Sequence, residues 1–547
     1  MTTPLLEIND LVVSYQTAKG LVHAVNNVSL EVHPGQITAI VGESGSGKST
    51  TAQAVIGLLA DNAEVDSGRI SFNGRSLVGL NAREWKNVRG TKIGLIPQDP
   101  NNSLNPVKTI GASVGEGLAI HKRGTAAERK KKVIELLERV GIDNPEVRYD
   151  QYPHELSGGM KQRALIAAAI ALEPELIIAD EPTSALDVTV QKIILDLLED
   201  MQRELGMGIL FITHDLAVAG DRADRIVVMQ KGEVRESGYA ASVLTDPQHE
   251  YSKKLLADAP SLTIGEIPTR VPAVDPEVAQ AKGPLLVVDK FRKEYQRGKE
   301  EVFVAADDIS FEVLPGTTHA IVGESGSGKT TLGRAIAMFN TPTSGSISVS
   351  GKDITNLSKA QQRELRQQIQ LVYQNPYSSL DPRQTIGATI AEPLRNFTKV
   401  SKQEADEKVA HYLELVALDP ALATRRPREL SGGQRQRVAI ARAMILEPEL
   451  VVFDEAVSAL DVTVQAQILR LLDDLQRELG LTYVFISHDL AVVREISDTV
   501  SVMSRGNQVE LGKTAEVFNN PQTDFTRRLI DAIPGSRYRG GELNLGL

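Results

Sequence analysis

The sequence predicts a doubled α/β fold, with two P-loop domains following one another on a single chain. Three observations carry that prediction. GESGSGKST at 42 to 50 returns as GESGSGKTT at 323 to 331, and both fit G-x-x-x-x-G-K-[ST]. Each copy lies between an apolar strand-like run, ITAIV at 37 to 41 or HAIV at 319 to 322, and a helix-like segment. Farther along each copy, LIIADE (176 to 181) and LVVFDE (450 to 455) are buried-type runs that end in paired carboxylates.

In the first copy, Gly42, Gly45 and Gly47 allow the backbone to turn so that successive N–H groups face one anion, and the helix start adds its positive end. Lys48 can reach the β- and γ-phosphates, and Ser49 can ligate Mg²⁺. Gly323, Gly326, Gly328, Lys329 and Thr330 take these places in the second copy. Ser44, Thr50, Ser325 and Thr331 complete the two phosphate-cradling stretches.

The 547 residues divide by this repeat into two large halves, each long enough for its own core. Composition is that of an ordinary water-exposed protein, 41% hydrophobic and 24% charged. No apolar run approaches the roughly 20 residues of a membrane span. The richest, ALIAAAIALEPELIIAD at 164 to 180, is broken by Glu173, Pro174 and Glu175. The N-terminal MTTPLLEINDLVVSY lacks a basic region followed by an apolar core, so a cytosolic location is expected. With no cysteine, disulfides, thiolate metal sites and a cysteine nucleophile are excluded. A net charge of −11 argues against a broad nucleic-acid surface. The basic run HKRGTAAERKKKV (121 to 133) reads as a solvated helix face.

Along the first half, LLEINDLVVSY and VHAVNNVSLEV alternate around a turn at Ala18, Lys19 and Gly20, which predicts an antiparallel layer before the P-loop. Tyr15 is its prominent aromatic. SGRISFNG adds a strand and turn, and KIGLIPQDPNNSLNP ends a strand at Pro97 with Gln98 heading a loop. From Val107 to about Asp150 the pattern is helical, which implies a separate lobe. It leads to Ser157, Gly158 and Gly159 before a long helix. Locally this reads first as a plain N-cap, and second as free N–H groups that can hold an anion. Asp180 is placed to hold Mg²⁺ through water, and Glu181 to orient or deprotonate an attacking water. His214 closes the strand GILFITHD at the carboxyl end, where parallel sheets bind ligands. RIVVMQKGEVRESG ends the half with a strand pair around Lys231 and Gly232.

The succession P-loop, Gln98, LSGGM (156 to 160), LIIADE, SALD (184 to 187) and His214 resembles the nucleotide-binding domain of ABC transporters. The second half repeats it with Lys329, Gln374, LSGGQ (430 to 434), LVVFDE, SALD (458 to 461) and His488. The resemblance implies two tandem ABC-type P-loop NTPase domains, each with an antiparallel β subdomain and a helical subdomain, at 1–260 and 285–547. It implies that Tyr15 and Tyr295 stack on adenine, that Gln98 and Gln374 sense the γ-phosphate and the metal, and that His214 and His488 contact the γ-phosphate.

It also implies that the domains pair head to tail. One ATP site would join Lys48, Asp180, Glu181 and His214 with Ser431, Gly432, Gly433 and Gln434. The other would join Lys329, Asp454, Glu455 and His488 with Ser157, Gly158 and Gly159. Three positions depart from the pattern: Met160 stands where Gln is usual, and Ala456 and Val457 replace the Pro and Thr of the first half. None removes a lysine, carboxylate or histidine, so two hydrolytic sites with Glu181 and Glu455 as bases are expected, using ATP and Mg²⁺.

QDPNNSLNPVKTIG (98 to 111) and YQNPYSSLDPRQTIG (373 to 387) resemble the dipeptide, oligopeptide and nickel importer branch, as do the tails DPQHEYSKKLLADAP (246 to 260) and NPQTDFTRRLIDAIP (520 to 534). That branch implies two integral-membrane permease subunits, an extracytoplasmic solute-binding protein and a peripheral position on the cytoplasmic face of the membrane. Di- or oligopeptides are the expected solutes. The Pro-rich stretch 261 to 284 is expected to be an extended linker. Rival readings are a tandem ABC ATPase acting on ribosomes or nucleic acid, and a nucleotide switch with little hydrolysis. The first generally carries a longer, strongly charged helical connector, and Glu181 and Glu455 weigh against the second.

Overall fold

A computed structural model describes residues 3–17, 20–183, 186–259, 261–262, 273–297, 301–375, 379–458 and 460–538. The chain forms two compact units: Met1–Ile264 together with Pro534–Leu547, and Gly265–Ile533.

In the first unit the alternating segments become a four-stranded antiparallel sheet in the order Gly20–Val32, Leu6–Thr17, Ala63–Phe72, Arg75–Ser76. Ala18 and Lys19, read as the turn, lie outside the described residues. The continuous apolar runs form a second sheet, in the order Glu233–Tyr239, Arg225–Gln230, Ile37–Val41, Gly208–Thr213, Leu176–Asp180, Ile93–Ile96. It is parallel except for the antiparallel edge pair 225–230 with 233–239, the hairpin expected around Lys231 and Gly232. Strands such as Ile37–Val41 and Gly208–Thr213 are buried on both faces, which is why their sequence does not alternate. One core joins Leu6 and Ile8 of the first sheet, Val55 and Ile56 of the P-loop helix and Ile40, Ile178 and Leu210 of the second. The phosphate loop is therefore held from both sides.

The helical lobe lies between Ile96 and Leu176. Its helix Ala126–Arg139 starts at Thr125, whose hydroxyl accepts from Glu128 N while Glu128 reaches back to Thr125 N, a reciprocal cap. Within the basic run Lys132 Nζ lies 3.0 Å from Glu173, and Lys130 sits over the Tyr149 ring. The last helix of the lobe, Gly158–Ile170, packs Leu165, Ile166 and Ile170 inward.

The second unit repeats the plan. Its strands form one ten-stranded sheet, because a single pairing, Asp307 with Asn507, links the antiparallel part to the parallel part. Within the strand Thr318–Gly323, His319 is fully buried. Its ring stacks on Phe311 at 4.2 Å and its nitrogens bond Thr499 and Ser501 at 2.8 and 2.9 Å. Burial drives its pKa down to about 3, so it stays neutral and behaves as a core residue.

The stretch 261 to 284 is not wholly extended as expected. Pro276–Lys282 is a helix whose N-cap Asp275 accepts from Glu277 N at 2.8 Å. Asp at the cap and Glu in the first turn are a helix start that the neighbouring prolines obscure. Residues 263–272 lie outside the described residues.

Among the described residues no helix is long and apolar enough to cross a membrane.

Candidate functional site

Each unit gathers one polar cluster at the carboxyl ends of its parallel strands. In the first, Gly42 has φ 152° and a Cβ there would meet Met229 O at 2.1 Å; Gly47, the N-cap of helix Lys48–Ile56, has φ 96° and would meet Ala24 O at 2.5 Å. The loop can take this path only without side chains at these two places. Ser44 and Gly45 form its exposed crest. Lys48 is buried, and its ammonium donates to Gly42 O (2.7 Å) and Glu43 O (2.9 Å), which points the charge into the loop.

Ser49 Oγ donates to Asp180 Oδ1 at 3.0 Å. Gln98 Nε2 donates to Glu181 Oε2 at 2.8 Å, and His214 Nδ1 lies 3.3 Å from the same oxygen. Strand Leu176–Asp180 ends at this point and Glu181 takes φ 45°, its N–H donating to Ile212 O at 2.9 Å. A glutamate in the left-handed region carries strain of order 1–3 kcal/mol. From that turn its carboxylate meets Gln98 and His214.

The second unit reproduces the cluster. Lys329 donates to Gly323 O (2.8 Å) and Glu324 O (2.7 Å), and Thr330 Oγ1 to Asp454 Oδ1 (3.0 Å). Gln374 donates to Glu455 Oε2 (2.7 Å), His488 Nδ1 lies 3.3 Å from it, and Glu455 has φ 51°. Gly328 caps the P-loop helix in the left-handed region, while Ser325 and Gly326 form the exposed crest.

Electrostatics separate the paired carboxylates. Burial raises Asp180 and Asp454 above the usual carboxylate range, against the pull of the Ser49 and Thr330 hydroxyls. Burial would raise Glu181 as well, but the bond and charge of His214, with Lys48 and Gln98, outweigh it and lower its pKa. Burial would lower His214, but Glu181 and Asp215 outweigh it and raise its pKa. Glu455 and His488 shift in the same directions for the same reasons. In each unit the glutamate and the histidine thus favour each other's charged forms, beside a lysine.

The aromatic positions are less alike. Tyr15 OH lies 3.4 Å from Thr50 Oγ1, whereas Asn340 Nδ2 donates to Tyr295 OH at 3.4 Å and Lys293 stands over the Tyr295 ring. Thr331 contributes its carbonyl to Asn340. Tyr295 is 42% exposed.

Ser157 and Ser431 are the N-caps of Gly158–Ile170 and Gly432–Met444. Ser157 Oγ accepts from Met160 N at 3.4 Å. Ser431 Oγ accepts from Gln434 N at 3.3 Å, and Gln434 returns a bond by accepting from Ser431 N at 3.0 Å. A Cβ at Gly159 or Gly433 would meet Val190 or Val464 at 2.7 or 2.5 Å, so close helix packing forces the second glycine of each motif. Ser184 and Ala185 of the first SALD and Ala459 of the second lie outside the described residues. Asp187 and Asp461 of the same motifs cap the next helices.

The cradle suits a nucleotide triphosphate: loop amides, a helix start and a buried lysine converge where a Cβ would not fit. Ser49 with Asp180, and Thr330 with Asp454, offer the hard oxygens that Mg²⁺ takes when phosphate oxygens and water complete its shell.

Sequence reasoning passed over Asp215 and Asp489, which cap the helices that follow the histidines, at 2.8 and 2.9 Å to Ala217 N and Ala491 N. An Asp after a strand-ending His is a helix-start signal that marks both.

A model of the ABC transporter family matches residues 25–184 and 306–458. The chain belongs to the ABC transporter family. A second model, of the oligopeptide/dipeptide transporter C-terminal region, matches 509–544. A peptidoglycan transport ATP-binding protein of Agrobacterium fabrum is 46% identical over 97% of this chain and 96% of its own length. A glutathione import ATP-binding protein of Escherichia coli K12 is 41% identical over 97% of this chain and 89% of its own. Among solved structures, an ATP-binding cassette in a dimeric post-hydrolysis state with ADP and Pi aligns at a TM-score of 0.39 and 29% identity, covering 42% of this chain and 98% of that one. As an ABC protein with two cassettes, the chain binds and hydrolyses ATP.

Proposed function

We propose that this ABC ATPase energises uptake of di- or oligopeptide-class solutes through separate permease subunits, from a peripheral position on the cytoplasmic face of the membrane. The observation that carries the hydrolytic part is the repeated Lys–Gln–Glu–His cluster, present with the same bonds in both units. The C-terminal match to the oligopeptide/dipeptide branch and the names of the two relatives support the solute class.

In this reading Lys48 and Lys329 neutralise charge on the β- and γ-phosphates. Ser49, Asp180 and Gln98, with Thr330, Asp454 and Gln374, would hold Mg²⁺, which would help neutralise the charge on the phosphates. Glu181 and Glu455 take the proton of an attacking water, and a lowered pKa keeps them in the basic form. His214 and His488, held by those glutamates, present the other ring nitrogen to the γ-phosphate. Tyr15 and Tyr295 stack on adenine. Ser157, Gly158, Gly159, Ser431, Gly432, Gly433 and Gln434 supply signature contacts, in the composite pairing implied by the family.

Purification of the tagged chain from its native membrane tests the transport role. Two polytopic permease subunits are expected to co-purify. Recovery of ribosomes or nucleic acid with no membrane protein would contradict it.

A further inference from the structure

The last described residues of the chain do not end in the unit that precedes them. Residues from Pro534 onward belong to the compact unit formed by Met1–Ile264. There Gly535–Tyr538 lie on helix Leu216–Arg222, whose N-cap is Asp215, next to His214.

Asp221 on the last turn of that helix accepts two backbone bonds, from Gly535 N at 2.7 Å (Oδ2) and from Arg537 N at 3.1 Å (Oδ1). Gly535 turns at φ 89°, and a Cβ there would meet Leu262 Cδ2 at 2.9 Å, Ser261 O at 3.1 Å and Ala217 Cβ at 3.2 Å. Tyr538 closes the turn by donating its N–H to Gly535 O at 3.2 Å. The residue is only 9% exposed, and its ring lies on Gly220, where a Cβ would meet Leu244 at 2.7 Å and the ring itself at 3.2 Å. Arg537 extends toward Glu199, the carboxylate that also holds Arg222 of the same helix at 2.6 Å.

The seat is specific to this unit in sequence. Helix Leu216–Arg222 reads LAVAGDR, and its counterpart Leu490–Ile496 reads LAVVREI, with Arg494 and Glu495 at the places of Gly220 and Asp221. A glycine that admits a ring and an aspartate that takes two amides mark one helix only.

We infer that Gly535–Tyr538 is a clamp on helix Leu216–Arg222 and that Asp221 and Tyr538 are positioning residues for His214. The inference rests on the reading of His214 as a γ-phosphate contact. The helix is only seven residues long, about two turns. Fixing its end therefore limits how far its start can swing. Asp215 ties that start to Ala217 N and Val218 N, and Thr213 Oγ1 accepts from Asp215 N at 3.0 Å. The tail thus acts on the backbone that carries the imidazole, without touching nucleotide.

The test uses the full chain with Asp221→Ala, Tyr538→Ala or Gly220→Ala, and a chain stopped after Ile533. Hydrogen exchange and steady-state MgATP hydrolysis are measured. Exchange across 216–222 is expected to quicken by about tenfold or more while 490–496 stays at the wild-type rate, as local opening without global unfolding requires. Measured in a Glu455→Gln background, so that the first site's turnover is read alone, the kcat should fall by roughly threefold to tenfold with KM for ATP within about twofold, the split of a lost transition-state contact. Unchanged exchange in the variants would overturn the clamp, and quickened exchange with unchanged kcat would overturn its positioning role. His214→Ala is run alongside. If it leaves kcat unchanged, the reading of His214 itself fails, whatever the exchange data show.

Discussion

The two units agree where charge is handled and differ where helices are fastened. Ser49–Asp180 and Thr330–Asp454 are both 3.0 Å, Gln98–Glu181 and Gln374–Glu455 are 2.8 and 2.7 Å, and both His–Glu contacts are 3.3 Å. The signature helices are fastened differently. In the first unit Lys161 donates to Asn101 at 2.8 Å, joining that helix to the loop after Gln98. In the second, Arg442 donates to the Ser379 carbonyl at 2.7 Å, from the place occupied by Ala168 in the first. Phosphate chemistry permits little variation in donor and acceptor placement. Holding a helix in place permits several solutions, so each half can be tuned separately there.

The largest expected effect tests the agreement. Lys48→Ala/Lys329→Ala should lower MgATP turnover by at least about 10²-fold, the loss typical when a preorganised charge is removed from a reaction site, and the two single variants should lower it equally. A variant that retains wild-type turnover would break the equivalence of the two clusters.

The helix fastenings should separate the units. Arg442 is desolvated and bonded to a backbone carbonyl, so Arg442→Ala is expected to cost about 1.5–3 kcal/mol. Lys161→Ala, at an exposed contact, should cost about 1 kcal/mol or less, read by urea unfolding. Equal costs would remove this distinction.

A pH series sharpens the agreement. The folded pKa of His214 and His488 lies above the unfolded value of about 6.5, so their bridges stabilise fully below it and weaken as pH rises through the folded value. Glu181 and Glu455 are shifted down, so the same bridges weaken as pH falls through their folded values. The excess Tm of wild type over His214→Ala/His488→Ala should therefore be greatest near about pH 5–6.5 and shrink toward alkaline pH. An excess that grows with pH would contradict the pairing.

The smallest effect concerns the caps. Met160→Gln supplies the side chain that Gln434 uses to accept from Ser431 N, and is expected to stabilise by about 0.5–1 kcal/mol. Gln434→Met should lose a similar amount.

Much of this was legible in the sequence because it rests on local rules. Gly42 and Gly47 are required by the loop's path, and the carboxylates follow buried apolar runs. The LSGGQ capping box is written in the spacing of Ser431 and Gln434. What was not legible depends on distant contacts or on a backbone angle. Nothing in LIIADE announces that Glu181 turns left-handed, because that conformation is imposed by the bond to Ile212 on the neighbouring strand. Tail residues 535 to 538 gave no sign of their seat, since Asp221 lies more than 300 residues earlier in the chain. The helix Pro276–Lys282 was hidden by the Pro-rich composition around it.

The central claim is that one chain carries two hydrolytic nucleotide sites. Its most direct test is Glu181→Gln/Glu455→Gln, with bound MgATP counted by equilibrium dialysis and turnover measured on the same preparation. Two nucleotides bound per chain, with turnover slowed by at least about 10²- to 10⁴-fold, is the predicted result. A single nucleotide per chain, or turnover equal to wild type, would contradict it.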